Sequence, residues 1–175
     1  SMSMEQGAEY LKNEYCNNFD AEDILDEIKD MLKEFYYYEV EPKDNAAGLL
    51  KFLKDREIRI AAATSSPRGH VEKALARTKL LPFIEKIFTT SEIGESKHSP
   101  LIYNTAAAYL GTTPDKTFVF EDSLYALKTA ADSGYCAVGV YDRYGESDKD
   151  GVRTYGRAYL KNFDDFDMIL PYMTN

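Results

Sequence analysis

The sequence has few cysteines, no cluster of basic residues and no long apolar run. Its two cysteines, Cys16 and Cys136, lie far apart in unrelated contexts, which predicts free thiols in a reducing compartment. The apolar stretches are too short to span a bilayer, and no signal peptide is recognisable. We therefore expect a cytoplasmic protein without a membrane segment.

The charge balance is acidic, because 30 Asp and Glu residues against 21 Lys and Arg give a formal net charge of -9. Such a chain is a poor ligand for nucleic acid or an anionic membrane, and we expect neither as a partner. Any phosphate group must therefore be held locally, by a cation or by backbone N–H groups that point at it.

The first forty residues show helical periodicity only, over residues 4–15 and 21–38. From about residue 58 the pattern changes, and short apolar runs alternate with helical segments. The runs are IRIAAAT (58–64), KIFTT (86–90), TFVFED (117–122) and YCAVGVYD (135–142), with GRAYLKNF (156–163) as a last edge strand. This alternation predicts an α/β fold, a Rossmann-like parallel sheet with helices on both faces. We expect a helical appendage over residues 1–40 and an α/β core over residues 41–175.

Polar side chains stand at or just beyond the carboxyl ends of the predicted strands, where parallel sheets bind ligands. Thr64 and Ser65 end the first run, Lys97 lies in the loop after the second, and Glu121 with Asp122 ends the third. Singly, each has an ordinary explanation: Asp122 or Ser123 as a helix cap, Thr64 and Ser65 as turn formers, and Lys97 as a solvated charge.

Together, these residues predict a phosphate site. The hydroxyl and backbone N–H groups at Thr64 and Ser65 would bind phosphate oxygens, and Lys97 would supply a fixed positive charge. Glu121 and Asp122 are oxygen donors suited to Mg²⁺, which would offset the charge of a phosphoryl group.

Three segments resemble the second, third and fourth motifs of the haloacid dehalogenase superfamily: IAAATSSPRG, SKHSPLIYNTAAAYLG and TFVFEDSLYALKTAADSG. The sequence is most similar to the β-phosphoglucomutase-like and phosphoglycolate phosphatase-like members, which carry a small helical cap. The resemblance implies that Thr64 and Lys97 are catalytic, phosphate-binding residues, and that Glu121 and Asp122 form the acidic pair of a Mg²⁺ site. It also implies that residues 1–40 are the later part of the cap.

The sequence departs from the family pattern in the lysine motif, with His98 after the lysine and Leu101 where an acid usually stands, and at Ala126, where glycine is usual. The larger departure is the absence of the first motif, an apolar strand ending in Asp-x-Asp-Gly-Thr whose first aspartate is the nucleophile. The nearest string, NFDAEDILD with Asp20 and Glu22, opens a predicted helix and is rejected.

That strand would lie between the IRIAAAT and TFVFED strands, so the core requires another way to close. The flanking strands could pair directly, or a second chain could lend an element in a homodimer, and the sequence leaves both open. The resemblance implies a Mg²⁺-dependent phosphatase or phosphomutase for a small phosphorylated metabolite. We expect this chain to be truncated and catalytically incomplete, with weak or absent Mg²⁺ binding. The alternatives are a non-catalytic phosphate- or cation-binding module and an inactive fragment stabilised by self-association.

Overall fold

A computed structural model describes residues 4–173, apart from the side chains of residues 144, 146 and 147. The chain divides into two compact units, the first ending at Glu41 and the second beginning at Pro42. Among the described helices, none is long and apolar enough to cross a membrane.

The first unit is helical. Helix α1 (Met4–Glu14) packs against helix α2 (Ala21–Glu34), and a π-helical turn (Phe35–Glu39) continues α2. Asp20 precedes α2 in an extended conformation, as the sequence predicts, but its side chain makes no capping hydrogen bond. No residue of α2 is buried, so the apolar stripe of this helix remains at least partly exposed in the described unit.

The second unit alternates strands and helices. Its strands are β1 (Ala61–Thr64), β2 (Lys86–Thr89), β3 (Phe118–Glu121), β4 (Cys136–Val140) and β5 (Ala158–Leu160). Its helices are α3 (Ala46–Lys54), α4 (Arg68–Arg77), α5 (Thr90–Ile93), α6 (Leu101–Leu110), α7 (Leu124–Asp132) and α8 (Lys149–Tyr155). Short 3₁₀ segments cover Leu81–Phe83, Pro114–Lys116, Arg143–Asp148 and Phe163–Tyr172. The predicted α/β fold with parallel strands is confirmed.

The strands form two separate parallel sheets. One contains β1 and β2, which are in register from Ala61 opposite Lys86 to Thr64 opposite Thr89. The other has the order β3-β4-β5, with Glu121 opposite Gly139. Within residues 4–173, β1 and β3 do not pair, so direct pairing of these strands, one of the two closures left open, is wrong.

The strands are shorter than the apolar runs predict. The first run was expected from residue 58, but β1 begins at Ala61, where its register with β2 begins. Just before it, the carbonyl oxygen of Ile60 accepts a hydrogen bond from the Glu85 backbone N–H at 2.9 Å. The third and fourth strands also stop before the polar ends of their apolar runs. Strand β3 ends at Glu121 and leaves Asp122 beyond it, and β4 ends at Val140 and leaves Asp142 beyond it.

Two apolar clusters form the core of the second unit. The first includes Tyr103, Leu127 and Ala137, and the second includes Leu49, Val138 and Leu160. Ala137 and Val138 are neighbours on β4, so their side chains point to opposite faces and β4 joins both clusters. Every residue of β4 is buried, whereas every residue of β1 is only half-buried.

Close packing over β4 depends on Gly139. A Cβ atom at this position would lie 2.5 Å from the carbonyl oxygen of Val152, in helix α8. Because real side chains do not approach so closely, glycine is what lets α8 lie against the strand. This packing fixes β4, and with it the polar residues that follow the strand.

Candidate active site at the carboxyl ends of the strands

Two acidic residues stand at the carboxyl end of β3, and a third follows β4. Glu121 is the last residue of β3, Asp122 follows it directly, and Asp142 lies two residues beyond the end of β4. Because β3 and β4 are parallel neighbours, these carboxylates lie at the same edge of the sheet. The sequence pattern predicted Glu121 and Asp122 at this edge and missed Asp142.

Lys97 and Glu121 form a buried ion pair. The Nζ atom of Lys97 lies 2.5 Å from Oε1 of Glu121, and the side chains are only 12% and 7% exposed. The Tyr103 hydroxyl, on α6, donates a hydrogen bond to the same oxygen at 2.8 Å. The explanation of Lys97 as a solvated surface charge is therefore wrong, because its ammonium group is enclosed beside Glu121.

The environment of this ion pair raises the pKa values of Glu121 and Tyr103. Burial raises the pKa of Glu121 above its ordinary value, and the contacts with Lys97 and Tyr103 offset this only in part. Burial, followed by the nearby charge of Glu121, raises the pKa of the Tyr103 phenol far above its ordinary value. Tyr103 is therefore a neutral hydrogen-bond donor at all physiological pH values. A lysine has three N–H donors, so Lys97 can serve both Glu121 and an incoming anion.

Asp122 and Asp142 face a second lysine. The Nζ atom of Lys43 lies 2.6 Å from Oδ2 of Asp142 and 4.0 Å from Oδ2 of Asp122. It also donates a hydrogen bond to the carbonyl oxygen of Tyr141 at 3.0 Å. Sequence reasoning missed Lys43, which lies before the first core helix and carries no motif. Asp142 did have a signal, since it ends the fourth apolar run.

Helix capping does not explain the acidic pair. Ser123 occupies the N-cap position of α7, but its side chain accepts no capping hydrogen bond. Its hydroxyl lies 3.4 Å from Oδ1 of Asp122, with the hydroxyl as donor. In residues 4–173 no hydrogen bond from the first turn of α7 to Asp122 is present either. The half-exposed Asp122 carboxylate thus remains available to a ligand.

Thr64 and Ser65 stand at the carboxyl end of β1, as the sequence predicts. The Thr64 hydroxyl accepts a hydrogen bond from the Ser66 backbone N–H at 3.0 Å, the geometry of a turn former, and Ser65 is exposed. Within the described part of the chain, neither makes a hydrogen bond to Lys97, Glu121 or Asp122. The structure therefore joins Lys97 to Glu121 but shows no contact of Thr64 or Ser65 with either residue, so the shared phosphate site remains a prediction.

A Mg²⁺ ion does not fit the described residues well. Among residues 4–173, no three acidic, histidine or cysteine side chains come together in a group able to hold a metal ion. Glu121 is engaged by Lys97 and Tyr103, and a lysine ammonium already lies between Asp122 and Asp142. Mg²⁺ needs several oxygen ligands in an octahedral arrangement, and the two carboxylates of Asp122 and Asp142, which already contact Lys43, supply few of them.

A cavity of about 650 Å³ opens beside the ion pair. Its walls come from both sheets and from helices on both faces, and they include Ala63 of β1, Val119 and Glu121 of β3, Leu49 of α3 and Tyr103 of α6. The cavity lies between β1 and β3, which is the region where the resemblance described above implies the family's first strand.

Comparison with known proteins supports one family. The sequence profile described as haloacid dehalogenase-like hydrolase matches residues 1–140. A validoxylamine A 7'-phosphate phosphatase of Streptomyces hygroscopicus subsp. limoneus is 30% identical over 97 residues, which are 55% of this chain and 46% of that protein. A phosphorylated carbohydrates phosphatase of Thermotoga maritima is 31% identical over 85 residues, which are 49% of this chain and 39% of that protein. This chain thus covers less than half of either relative.

Solved structures show the same fold. A family IA, variant 3 hydrolase of Entamoeba histolytica superposes with a TM-score of 0.80 and 21% identity, covering 100% of this chain and 80% of that one. A putative β-phosphoglucomutase of Thermotoga maritima gives a TM-score of 0.74 and 21% identity, with 91% and 74% of the two chains covered. At these identities the likeness establishes the fold alone.

Proposed function

The chain belongs to the haloacid dehalogenase-like hydrolase family, and from this premise we propose that its carboxyl-edge site binds the phosphate of a small phosphorylated metabolite. The observation that carries the proposal is the buried position of Lys97, at 2.5 Å from Glu121. Burying an ammonium group is costly unless it is paired, and a phosphate would draw on the N–H donors that Glu121 leaves free. The names of the two curated relatives, both phosphatases of phosphorylated compounds, support this ligand class.

Thr64 and Ser65 complete the proposed site. They stand at the end of β1, and Ala63 of the same strand lines the cavity beside Glu121. A phosphate held between the β1 turn and Lys97 would accept hydrogen bonds from hydroxyl and backbone N–H groups. Residues 1–40 would represent the later part of a substrate-selecting helical cap, a proposal that the helices α1 and α2 support.

The proposed reaction class is that of a phosphatase or phosphomutase, and we propose that residues 1–175 alone are catalytically incomplete. Phosphoryl transfer of this kind requires a carboxylate nucleophile in line with phosphorus and a second carboxylate to move the proton. Glu121 is held by Lys97 and Tyr103, which leaves it poorly suited to attack. The sequence has no Asp-x-Asp-Gly-Thr motif, and Asp20 lies at the start of α2 in the first unit.

Mg²⁺ binding is proposed to be weak. The oxygen donors would be Asp122 and Asp142, with Glu121 withheld by its ion pair. Titration calorimetry with MgCl₂ is therefore expected to show at best a millimolar dissociation constant, about -4 kcal/mol of binding free energy. Asp122→Asn should weaken it further. Tight binding that this change leaves untouched would place the metal elsewhere.

Phosphate binding is tested with inorganic phosphate and two matched variants. Lys97→Met should reduce affinity at least tenfold, because the enclosed ammonium is lost while the volume of the side chain is kept. Lys51→Met is the control, since Lys51, on α3, lies in an exposed ion pair with Asp55. Equal phosphate affinity in the wild type and in Lys97→Met would contradict the proposed site.

Turnover is tested with p-nitrophenyl phosphate and Mg²⁺. We expect no rate above that of the Lys97→Met variant, because binding groups without a nucleophile give little acceleration. Robust turnover by the 175-residue chain that Asp20→Asn abolishes would show that Asp20 is the nucleophile and would overturn the account of an incomplete site.

One observation favours a second candidate, a non-catalytic module that binds phosphate. Lys43 places a tethered ammonium between Asp122 and Asp142, where it balances their charge without a metal ion. A binding module would show phosphate affinity that is independent of Mg²⁺. An enzyme site would instead bind phosphate more tightly as Mg²⁺ is added, so the same titration separates the two candidates.

A further inference from the structure

Lys97 lies in a short irregular segment between α5 and α6, residues 94–100. The three residues before Lys97 are exposed, and the Ser99 backbone N–H closes a turn on the carbonyl oxygen of Ser96 at 3.0 Å. Exposed irregular segments open more easily than packed helices and strands. The Lys97 side chain is nevertheless only 12% exposed, beside Glu121. Keeping the ammonium group there requires the backbone from which it extends to stay in place.

The next residue, His98, supplies a second contact for this segment. Its imidazole ring stacks on the phenol ring of Tyr125, with the ring centroids 4.4 Å apart and the ring planes 25° from parallel. Tyr125 lies in the first turn of α7 and is half-buried, whereas His98 is exposed. Stacked aromatic pairs attract each other beyond the burial of their area. His98 therefore ties the segment to α7 at the residue directly after Lys97.

The stack and the ion pair hold the segment at two neighbouring points of one strand–helix turn. Lys97 contacts Glu121, the last residue of β3. His98 contacts Tyr125, four residues later, in α7. Tyr125 also lies close to Tyr103: burial and then Glu121 raise the pKa of Tyr103 most, and Tyr125 adds a smaller contribution. The stack therefore adjoins the groups that surround the Lys97 ammonium.

We propose that the stacked pair of His98 and Tyr125 is a positioning element for Lys97, which holds the ammonium group beside Glu121 and acts on a ligand only through Lys97. A lysine side chain has much rotamer freedom to lose, and a fixed backbone reduces that cost when an anion binds. The effect on phosphate rests on the proposed function, whereas the effect on the position of Lys97 does not. His98 is one of the departures from the family pattern, so that pattern does not supply this element.

A direct contact between His98 and the anion is the competing explanation. The imidazole is exposed and could itself donate a hydrogen bond. Phenylalanine separates the two roles, because its flat ring can stack on Tyr125 but has no N–H donor and no charge. A positioning role is kept in His98→Phe and lost in His98→Ala, whereas a direct contact is lost in both.

The position of Lys97 can be measured without any ligand. Limited acetylation with acetic anhydride, followed by peptide mass spectrometry, reports how accessible each lysine amine is. Lys97 should react about three- to tenfold faster in His98→Ala than in the wild type, the range expected for the loss of one aromatic pair. In His98→Phe it should react at the wild-type rate. Lys51, which is 67% exposed, is the internal reference and should react equally in all three proteins.

Titration with inorganic phosphate tests the effect on a ligand. His98→Ala should weaken phosphate binding about three- to tenfold, and His98→Phe should bind as the wild type does. In the Lys97→Met background, His98→Ala should cause no further loss, because the stack acts through Lys97. This double-mutant cycle measures the coupling between the two residues.

Two tyrosine variants at opposite ends of α7 supply a matched control. Tyr125→Leu removes the stacked ring and should reproduce both effects of His98→Ala. Tyr155→Leu removes a tyrosine whose hydroxyl donates a hydrogen bond to Asp132, the last residue of α7, and should change neither. Thermal melting shows whether each variant is folded. If Tyr125→Leu is not, the histidine variants decide, because His98 is exposed.

The outcomes separate this inference from the proposed function. Unchanged acetylation of Lys97 in His98→Ala would overturn the positioning role, even if Lys97→Met shows that the site binds phosphate. Equal losses of phosphate affinity in His98→Phe and His98→Ala would assign His98 a direct contact with the anion and would also overturn it. No phosphate binding by the wild type, together with faster acetylation in His98→Ala, would reject the proposed function and support the positioning of Lys97.

Discussion

Strand β4 and strand β3 are neighbours and both are mostly apolar, but they differ in what lies beside them. Strand β4 has a hydrogen-bonded partner on each side, and all of its residues are buried. Within residues 4–173, β3 has a strand partner on one side only, and three of its four residues are half-buried, as are all four of β1. Apolar sequence therefore does not suffice for burial in this protein, because burial also requires a second flanking strand.

Amide exchange should give the largest contrast between these strands. In the described part of the chain, the cavity-facing amides of β1 and β3 have no strand partner, whereas β4 has a hydrogen-bonded strand on each side. We expect exchange at least a hundredfold faster at the open edges of β1 and β3 than in β4, measured by mass spectrometry or NMR. Uniform protection across β1, β3 and β4 would show that the open edges are closed in solution.

A matched pair of valine truncations measures the same contrast in stability. Val138→Ala on β4 removes two methyl groups from a fully buried site and should cost about 2–3 kcal/mol of unfolding free energy. Val119→Ala on β3 removes them from the wall of the cavity and should cost about 1 kcal/mol. Urea denaturation of both variants gives the difference, and equal losses would contradict the contrast.

Glu121, at the carboxyl end of β3, should make the free energy of unfolding depend on pH. Because burial raises the pKa of Glu121, the folded state holds the proton more tightly than the unfolded chain does. The unfolding free energy should therefore fall as pH rises from about 4.5 through the raised folded pKa, by at most about 1.4 kcal/mol per pH unit. Glu121→Gln should remove this slope in denaturation measured between pH 4.5 and 7.

Glu92 provides the control for that experiment. Its carboxylate is bound by Arg68, which lowers the pKa of Glu92 to about 2. The stability that this group contributes is present above its ordinary pKa and is lost as pH falls towards 2. Glu92→Gln should therefore leave the slope between pH 4.5 and 7 unchanged. A slope that disappears in both variants would assign it to general charge effects.

The smallest expected effect concerns Lys43, at the carboxyl ends of β3 and β4. Lys43→Met removes the ammonium between Asp122 and Asp142, so Mg²⁺ should bind several-fold more tightly than in the wild type. The same titration with Lys51→Met should show no gain, because that lysine lies in an exposed pair on α3. Unchanged affinity in Lys43→Met would mean that Lys43 does not compete with the cation.

The sequence predicted the parallel α/β fold because apolar runs and helical periods report local structure directly. TFVFED and YCAVGVYD mark β3 and β4, and Gly111 ends α6 in the left-handed conformation that the pattern requires. The division of the strands into two sheets could not be predicted from the sequence. A missing strand motif does not determine whether the neighbouring strands pair with each other or leave a cavity between them.

The site was predicted in part. The strand-end rule located Glu121 and Asp122, but the contact of Lys97 with Glu121 depends on side-chain conformations across 24 positions of sequence. The sequence did not single out Tyr103 as a site residue, because an apolar or aromatic residue on a helix is most often explained by packing in the core. Asp142 was missed although the same strand-end rule applied to it, and Thr64 and Ser65 remain predicted phosphate ligands.

The open edges of β1 and β3 also affect how the protein behaves in concentrated solution. At neutral pH the formal net charge of -9 makes copies of the chain repel one another. Near the sequence pI of about 4.8 that repulsion vanishes, while the unpaired edges remain ready to pair with strands of other copies. Purification and storage are therefore best kept well above this pH, where electrostatic repulsion between copies of the chain limits the pairing of their strand edges.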